Sequence, residues 1–187
     1  MHWILVWSWR LCRLALLPIA AGVIAVTGSL LYLGPRLPSV EVLRDVRFQE
    51  PLRVYSRDGL LMGEFGEMRC TPVRFEQIPQ VLIHAVLAAE DDRFLRHHGV
   101  DFGGLSRAAW ELATTRSIQS GGSTITMQVA RNYFLSRDQT FVRKFNEILL
   151  ALQIERELDK QQILELYLNK IFLGYRAYGI EAAAQVY

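Results

Sequence analysis

The sequence predicts a mostly α-helical protein with a small β-hairpin region and one N-terminal transmembrane helix. Three observations carry this expectation. Leu14 to Leu33 is an uncharged apolar run of 20 residues, enough to cross a hydrocarbon layer at about 1.5 Å rise per residue. Val54-Tyr55-Ser56 and Leu60-Leu61-Met62 flank Arg57-Asp58-Gly59, and an Asp-Gly pair between such segments is a hairpin signal. From Ile78 onward apolar residues recur at helical spacing, with glycines between the segments.

Bulk properties narrow the classes. The chain of 187 residues is long enough for one domain with a real core and a short appendage. A net charge of +2 gives no strong global field. With no basic run and no recognisable nucleic-acid motif, nucleic acid is not an expected partner. Cys12 and Cys70 are not expected to pair, since one borders the apolar run and the other lies far beyond it.

The elements follow in order. The run over 14–33 exceeds the roughly 7–15 apolar residues of a signal peptide, so it reads as an uncleaved anchor. Trp3, Trp7, Trp9 and Tyr32 sit near its edges, where amphipathic rings prefer to lie. Arginines stand on both sides of it, so charge alone does not orient it. Gly34-Pro35-Arg36-Leu37-Pro38 reads as a stiff linker. Helices are expected over 79–91, 101–116, 123–134, 140–158, 160–171 and 177–187. The chain stops at Tyr187 inside an apparent helix, so a longer polypeptide is expected.

Three segments carry candidate chemistry. Glu90-Asp91-Asp92 closes an apolar run and leads to Phe94, His97 and Gly99. Adjacent carboxylates repel one another, one way to prepare a general acid or base. Read as helix, Glu90, Phe94 and His97 share a face; the plainer reading is a helix end dipping its acids into water. Gly121-Gly122-Ser123 opens the second segment, with Ser123 as the expected N-cap. Thr124, Gln128 and Arg131 then project from one face, and a glycine-led helix start suits anions. The alternative is an ordinary capped helix with a wet polar face. The third segment is a helix with Phe145, Ile148, Leu149 and Leu152 as its core stripe and Arg143, Lys144 and Glu147 on the other half. That trio is either a surface ion pair, worth about 0.3–0.5 kcal/mol, or a cationic pocket with an acid that orients it. Asp159 to Gln162 has a capping-box pattern and reads as structural. His97 and His98 lack a second ligand cluster, so no metal site is expected. No Ser-x-x-Lys occurs, so no acyl-enzyme serine of the penicillin type is present.

Taken together these segments resemble the peptidoglycan glycosyltransferase domain of class A penicillin-binding proteins. Glu90-Asp91-x-x-Phe94-x-x-His97-x-Gly99 looks like the family's first motif, and Gly122-Ser123-Thr124-Ile125-Thr126-x-Gln128-x-x-Arg131-Asn132 its second. Arg143-Lys144-x-x-Glu147 looks like the third, Ile163-Leu164-Glu165-Leu166-Tyr167-Leu168-Asn169 the fourth, and Tyr178-Gly179-Ile180-Glu181-Ala182-Ala183-Ala184 the block that follows. The resemblance runs from about Val40 to Tyr187.

The resemblance implies a lysozyme-like helical glycosyltransferase domain over 75–187, truncated at its C-terminus. It is preceded by a linker and hairpin region over 34–74, the anchor over 14–33 and a short cytoplasmic stretch over 1–13. It implies a bacterial inner-membrane protein with its catalytic side in the periplasm. The implied reaction polymerises lipid II into β-1,4-linked glycan, with inversion and release of undecaprenyl diphosphate. Glu90 would be the base, and Glu147 the second essential carboxylate. Arg131, Arg143 and Lys144 would hold the diphosphate, with Ser123, Thr124 and Gln128 positioning substrate, and Asp91, Phe94 and His97 would shape the pocket. Partners would be lipid II, the lipid-linked strand, the membrane and other wall-building proteins. The one cofactor such chemistry invites is a divalent cation at the donor diphosphate, though no dedicated cage is visible.

The chain departs from the pattern in three places. Arg131 stands where lysine is usual, Asp92 adds a third acid beside the base, and the resemblance leads one to expect the rest of the glycosyltransferase domain and a transpeptidase domain that these 187 residues do not include. Two rival readings stay open: a lytic glycosidase using one glutamate on a lysozyme-like fold, and a non-catalytic membrane scaffold for cell-wall synthesis.

Overall fold

The computed structural model describes residues 28, 34, 37–46, 52–65, 69–115, 122–135 and 140–187. It divides into two compact units, 1–38 and 39–187. The anchor expected over 14–33 lies outside the described residues, Gly28 apart, as does all of 1–13. Among the described residues no helix is long and apolar enough to cross a membrane.

The second unit is mostly helical. A 3-10 helix, Val40–Asp45, buries Val40 and Leu43. Strands β1 (Leu52–Tyr55) and β2 (Leu61–Phe65) form the expected antiparallel hairpin. Its turn is closed by Gly59 N–H donating to Ser56 O at 3.0 Å. Gly59 sits at φ +78°, a conformation that costs glycine no Cβ clash. After β3 (Arg69–Cys70) come helices α1 (Gln80–Glu90), α2 (Phe102–Thr115), α3 (Ile125–Phe134), α4 (Phe141–Glu157) and α5 (Lys160–Lys170). Strand β4 (Ala177–Tyr178) and α6 (Ile180–Val186) complete the order.

Helix α3 is the hub, packing against both α4 and α5. Its Ile125, Met127, Val129 and Ala130 have no exposed surface, nor do Leu150, Ala151 and Ile154 of α4 or Ile163, Tyr167 and Leu168 of α5. Helix α5 begins with the expected capping box: Asp159 accepts from Gln162 N–H at 2.8 Å and Gln162 from Asp159 N–H at 2.9 Å. It also holds the chain before α1. Asn169 exchanges two 2.8 Å hydrogen bonds with the Val73 backbone, and Glu165 accepts from Phe75 N–H at 2.8 Å.

Three expectations change. The helix expected over 177–187 starts only at Ile180. Ala177 and Tyr178 pair in parallel with Arg69 and Cys70 instead, a non-local ladder that helical periodicity does not signal. The core stripe of α4 is not Phe145, Ile148, Leu149 and Leu152 alone. Besides Leu149, the residues it buries are Glu147, Leu150, Ala151 and Ile154, spaced i, i+3, i+4 and i+7, with the C-cap Leu158 continuing the stripe. A carboxylate at the head of that stripe and a short alanine within it disguise it in the sequence. The third change is that α1 ends at Glu90 and 91–99 forms turns, so Glu90, Phe94 and His97 do not share a helical face.

Candidate active site

Glu90 is the last residue of α1 and is exposed. The chain reverses immediately after it because Asp91 turns inward and is buried. Both Asp91 oxygens lie 3.0 Å from His97 Nε2, and one accepts from Ile125 N–H at 3.1 Å. A carboxylate accepts, so that histidine nitrogen carries the proton. Asp91 thus ties the turn to the first residue of α3, where free N–H groups favour a negative charge. Thr124 completes the joint. It, rather than Ser123, is the N-cap of α3: its hydroxyl accepts from Met127 N–H at 3.2 Å and donates to Gly99 O at 2.6 Å. Gly99 is at φ +85°, and a Cβ there would lie 2.7 Å from Ala151 O, so this approach of turn to helix admits only glycine. Adjacent acids that look alike in sequence are thereby separated, one committed to the fold and one left facing solvent.

With the cap assigned to Thr124, Ser123 is free for another task. It lines a cavity of about 220 Å³ together with Glu90, Asp92, Asp101 and Arg107. Its hydroxyl accepts from Lys144 Nζ. Lys144 also lies 3.2 Å from Glu147, whose other oxygen is paired with Arg143. Glu147 is 1 % exposed, so the trio is no surface ion pair. Burying its carboxylate costs several kcal/mol (roughly) unless offset by close partners, and here two cations offset it. The trio keeps a net positive charge of one, on side chains that still reach solvent.

The second face of α3 extends the site. Gln128 Nε2 donates to Glu90 at 2.8 Å, and Arg131 reaches Gln128 Oε1 at 3.5 Å. Arg131 has no acid partner among the described residues. Burial pushes the Tyr167 hydroxyl well above the ordinary phenol range, the negative charge of Glu90 adds to that, and Arg131 opposes it. Tyr167 therefore keeps its proton throughout the working pH range, and its buried oxygen makes no hydrogen bond among the described residues.

The structure accordingly brings Glu90, Gln128 and Arg131 into one array and Ser123, Arg143, Lys144 and Glu147 into another, the two meeting at the cavity. Phe94 and His97 are not on its wall. Phe94 is buried, stacks edge-on to His97 at 6.2 Å and lies 4.3 Å under Lys160 Nζ. Sequence reasoning missed the clamp around them. Lys160 donates to His97 O at 2.8 Å and to Glu155 at 2.7 Å, and Glu155 also accepts from Thr126 at 2.6 Å. It missed Arg93 on Asp101 at 2.5 Å, and it missed Arg107. None of these residues stands in a pattern that sequence alone singles out.

The cavity wall thus carries one exposed carboxylate, Glu90, and one hydroxyl, Ser123, that connects it to the Lys144–Glu147–Arg143 cluster behind. The chain belongs to the transglycosylase family, whose model matches residues 58–187. It is 65% identical to penicillin-binding protein 1A of Pseudomonas aeruginosa, over 88% of this chain and 20% of that one. It is 51% identical to penicillin-binding protein 1A of Escherichia coli, over 93% and 20%. The Haemophilus influenzae penicillin-binding protein 1A structure aligns at 27% identity over 75% of this chain and 11% of that one, with a TM-score of 0.27, too low to speak to the fold. The chain spans about a fifth of the length of the curated relatives it matches.

Proposed function

We propose that this chain is the glycosyltransferase part of a bifunctional penicillin-binding protein, and that it polymerises lipid II into β-1,4-linked glycan. The observation that supports this best is the shared cavity: Glu90 and Ser123 both line it, and Lys144 reaches it through Ser123. In this reading Glu90 accepts the proton of the acceptor sugar 4-hydroxyl as that oxygen attacks the donor anomeric carbon. The bond from that carbon to the diphosphate breaks, and its electron pair leaves with undecaprenyl diphosphate. Attack opposite the leaving group inverts an α-linked donor into a β-linked product. Lys144, Arg143 and Arg131 meet the charge as it develops, which lowers the barrier because they are already in place.

Glu147 takes a different part from Glu90. Both its oxygens are committed and it is buried, so it orients the two cations rather than moving a proton. A divalent cation does not fit the cradle, whose groups are two cations, a hydroxyl that already accepts from one of them and a carboxylate already neutralised; no step is routed through one. In the proposed protein 14–33 is the anchor, 1–13 is cytoplasmic, and the catalytic side faces the periplasm, where a lipid-borne substrate presents its sugars. A lytic glycosidase cleaves a neutral bond and has no use for the cradle.

The test is to incubate the full-length gene product with labelled lipid II in detergent. One undecaprenyl diphosphate is expected for each new glycosidic bond in a lengthening strand. Untouched lipid II beside cleavage of preformed glycan supports the glycosidase, and no turnover of either supports the scaffold.

A further inference from the structure

Arg107, on α2, is the cation that the proposed reaction leaves unused. It lines the same cavity as Glu90 and Ser123 and is exposed, so its guanidinium is open to a ligand. Its neighbours are placed by a close approach of two segments: a Cβ on Gly122 would lie 3.2 Å from that of Ala108 and 3.5 Å from Leu105 Cδ1. Helix α2 therefore lies almost against the backbone that enters α3, bringing Arg107 to the wall that carries Ser123.

The cavity contains acids that could neutralise Arg107, yet two are engaged elsewhere. Asp101 is held by Arg93 at 2.5 Å and Asp91 by His97 and Ile125 N–H, while Glu90 accepts from the neutral Gln128 amide, keeps its charge and makes no ion pair with Arg107. The fourth, Asp92, is exposed and lies 3.9 Å from Arg93. Arg107 itself makes no hydrogen bond or ion pair among the described residues. A guanidinium presents a planar fork of donors suited to a phosphate or carboxylate. One that lines a cavity and lacks an internal partner is a ready site for an anion brought by a ligand.

We propose that Arg107 forms an anion subsite for the acceptor, binding an oxyanion that the acceptor carries beside the sugar whose hydroxyl faces Glu90. This rests on the glycosyltransferase reading above. The cradle of Arg143 and Lys144, together with Arg131 beside Gln128, serves the leaving diphosphate, so the cation on the opposite helix of the cavity wall, Arg107, serves the other substrate. The oxyanion has two sources of the same chemistry, the acceptor's lipid diphosphate and the carboxylates of its peptide stem.

The test separates donor from acceptor in the full-length gene product. A lipid II whose 4-hydroxyl is blocked can only donate, so unblocked lipid II then reports the acceptor site. Arg107→Ala is expected to raise the acceptor KM roughly 10- to 100-fold, the loss typical of a charge-assisted hydrogen bond. The donor KM should stay within about threefold, and kcat at saturating acceptor should change far less than the acceptor KM. Arg107→Lys, which keeps the charge without the fork, should fall between. Repeating the series with a stem-free acceptor distinguishes the sources: a penalty that persists assigns the diphosphate, and one that vanishes assigns the stem. An unchanged acceptor KM, or equal losses on both substrates, overturns the subsite. Wild-type polymerisation is the control, because its absence would count against the reaction itself rather than against Arg107. If Arg107→Ala melts early, Arg107→Gln and Arg107→Lys carry the comparison.

Discussion

Replacing Glu90 by glutamine is expected to lower kcat by roughly 10²- to 10⁴-fold, the range that a positioned general base contributes, with the fold intact. Both parts follow from its placement. Glu90 ends α1, is exposed, and among the described residues makes one side-chain hydrogen bond, from Gln128. Glutamine keeps the size and an acceptor oxygen, so stability should stay within about 0.5 kcal/mol of the parent. What it removes is the ability to take a proton. The measurement is initial-rate polymerisation of lipid II beside a thermal melt. A variant that melts like the parent and still runs at more than a tenth of its rate would remove Glu90 from the role of base.

Glu147→Gln should behave differently, losing stability and turnover together. The buried carboxylate is the counter-charge for Arg143 and Lys144. Without it two cations face each other with no acid between them. Breaking a buried pair typically costs about 3–5 kcal/mol, and because both cations partly reach water the lower end is expected, about 3 kcal/mol. In a domain of this size that lowers Tm by roughly 6–12 °C. If the proposed reaction holds, turnover should fall as well, because the cations would lose the geometry in which they meet the leaving group. Chemical denaturation together with lipid II kinetics checks both. An unchanged denaturation midpoint would mean that Glu147 is not the counter-charge the cradle depends on.

The contrast between these two glutamates marks how far the sequence could be read. Five of the six helices lie within two residues of their expected bounds, because long periodic segments between glycines leave little choice. The Asp-Gly hairpin was legible for the same local reason. What stayed hidden was non-local. Nothing near Ala177 announces that it pairs with Arg69 far upstream. Nothing in Glu90-Asp91-Asp92 says that the middle acid is buried on His97 while the first faces out. The choice between Ser123 and Thr124 as cap turns on which hydroxyl Gly99 and Lys144 reach, and both partners lie more than 20 positions away. Glu147 shows the limit most plainly. A basic-before-acidic spacing is the weaker helix orientation, which hinted that the trio serves something other than helix stability, but only the packing of α4 puts that carboxylate in the core.

The central claim is that one cavity joins a proton-accepting carboxylate to a cationic cradle. A crystal structure of the full-length gene product with a non-transferable lipid-linked diphosphate sugar tests it most directly. The phosphate oxygens should lie within hydrogen-bond distance of Lys144 and of Arg143 or Arg131, with the sugar in the cavity beside Glu90. A diphosphate seated away from those three cations, leaving Glu90 facing no sugar, would contradict the account.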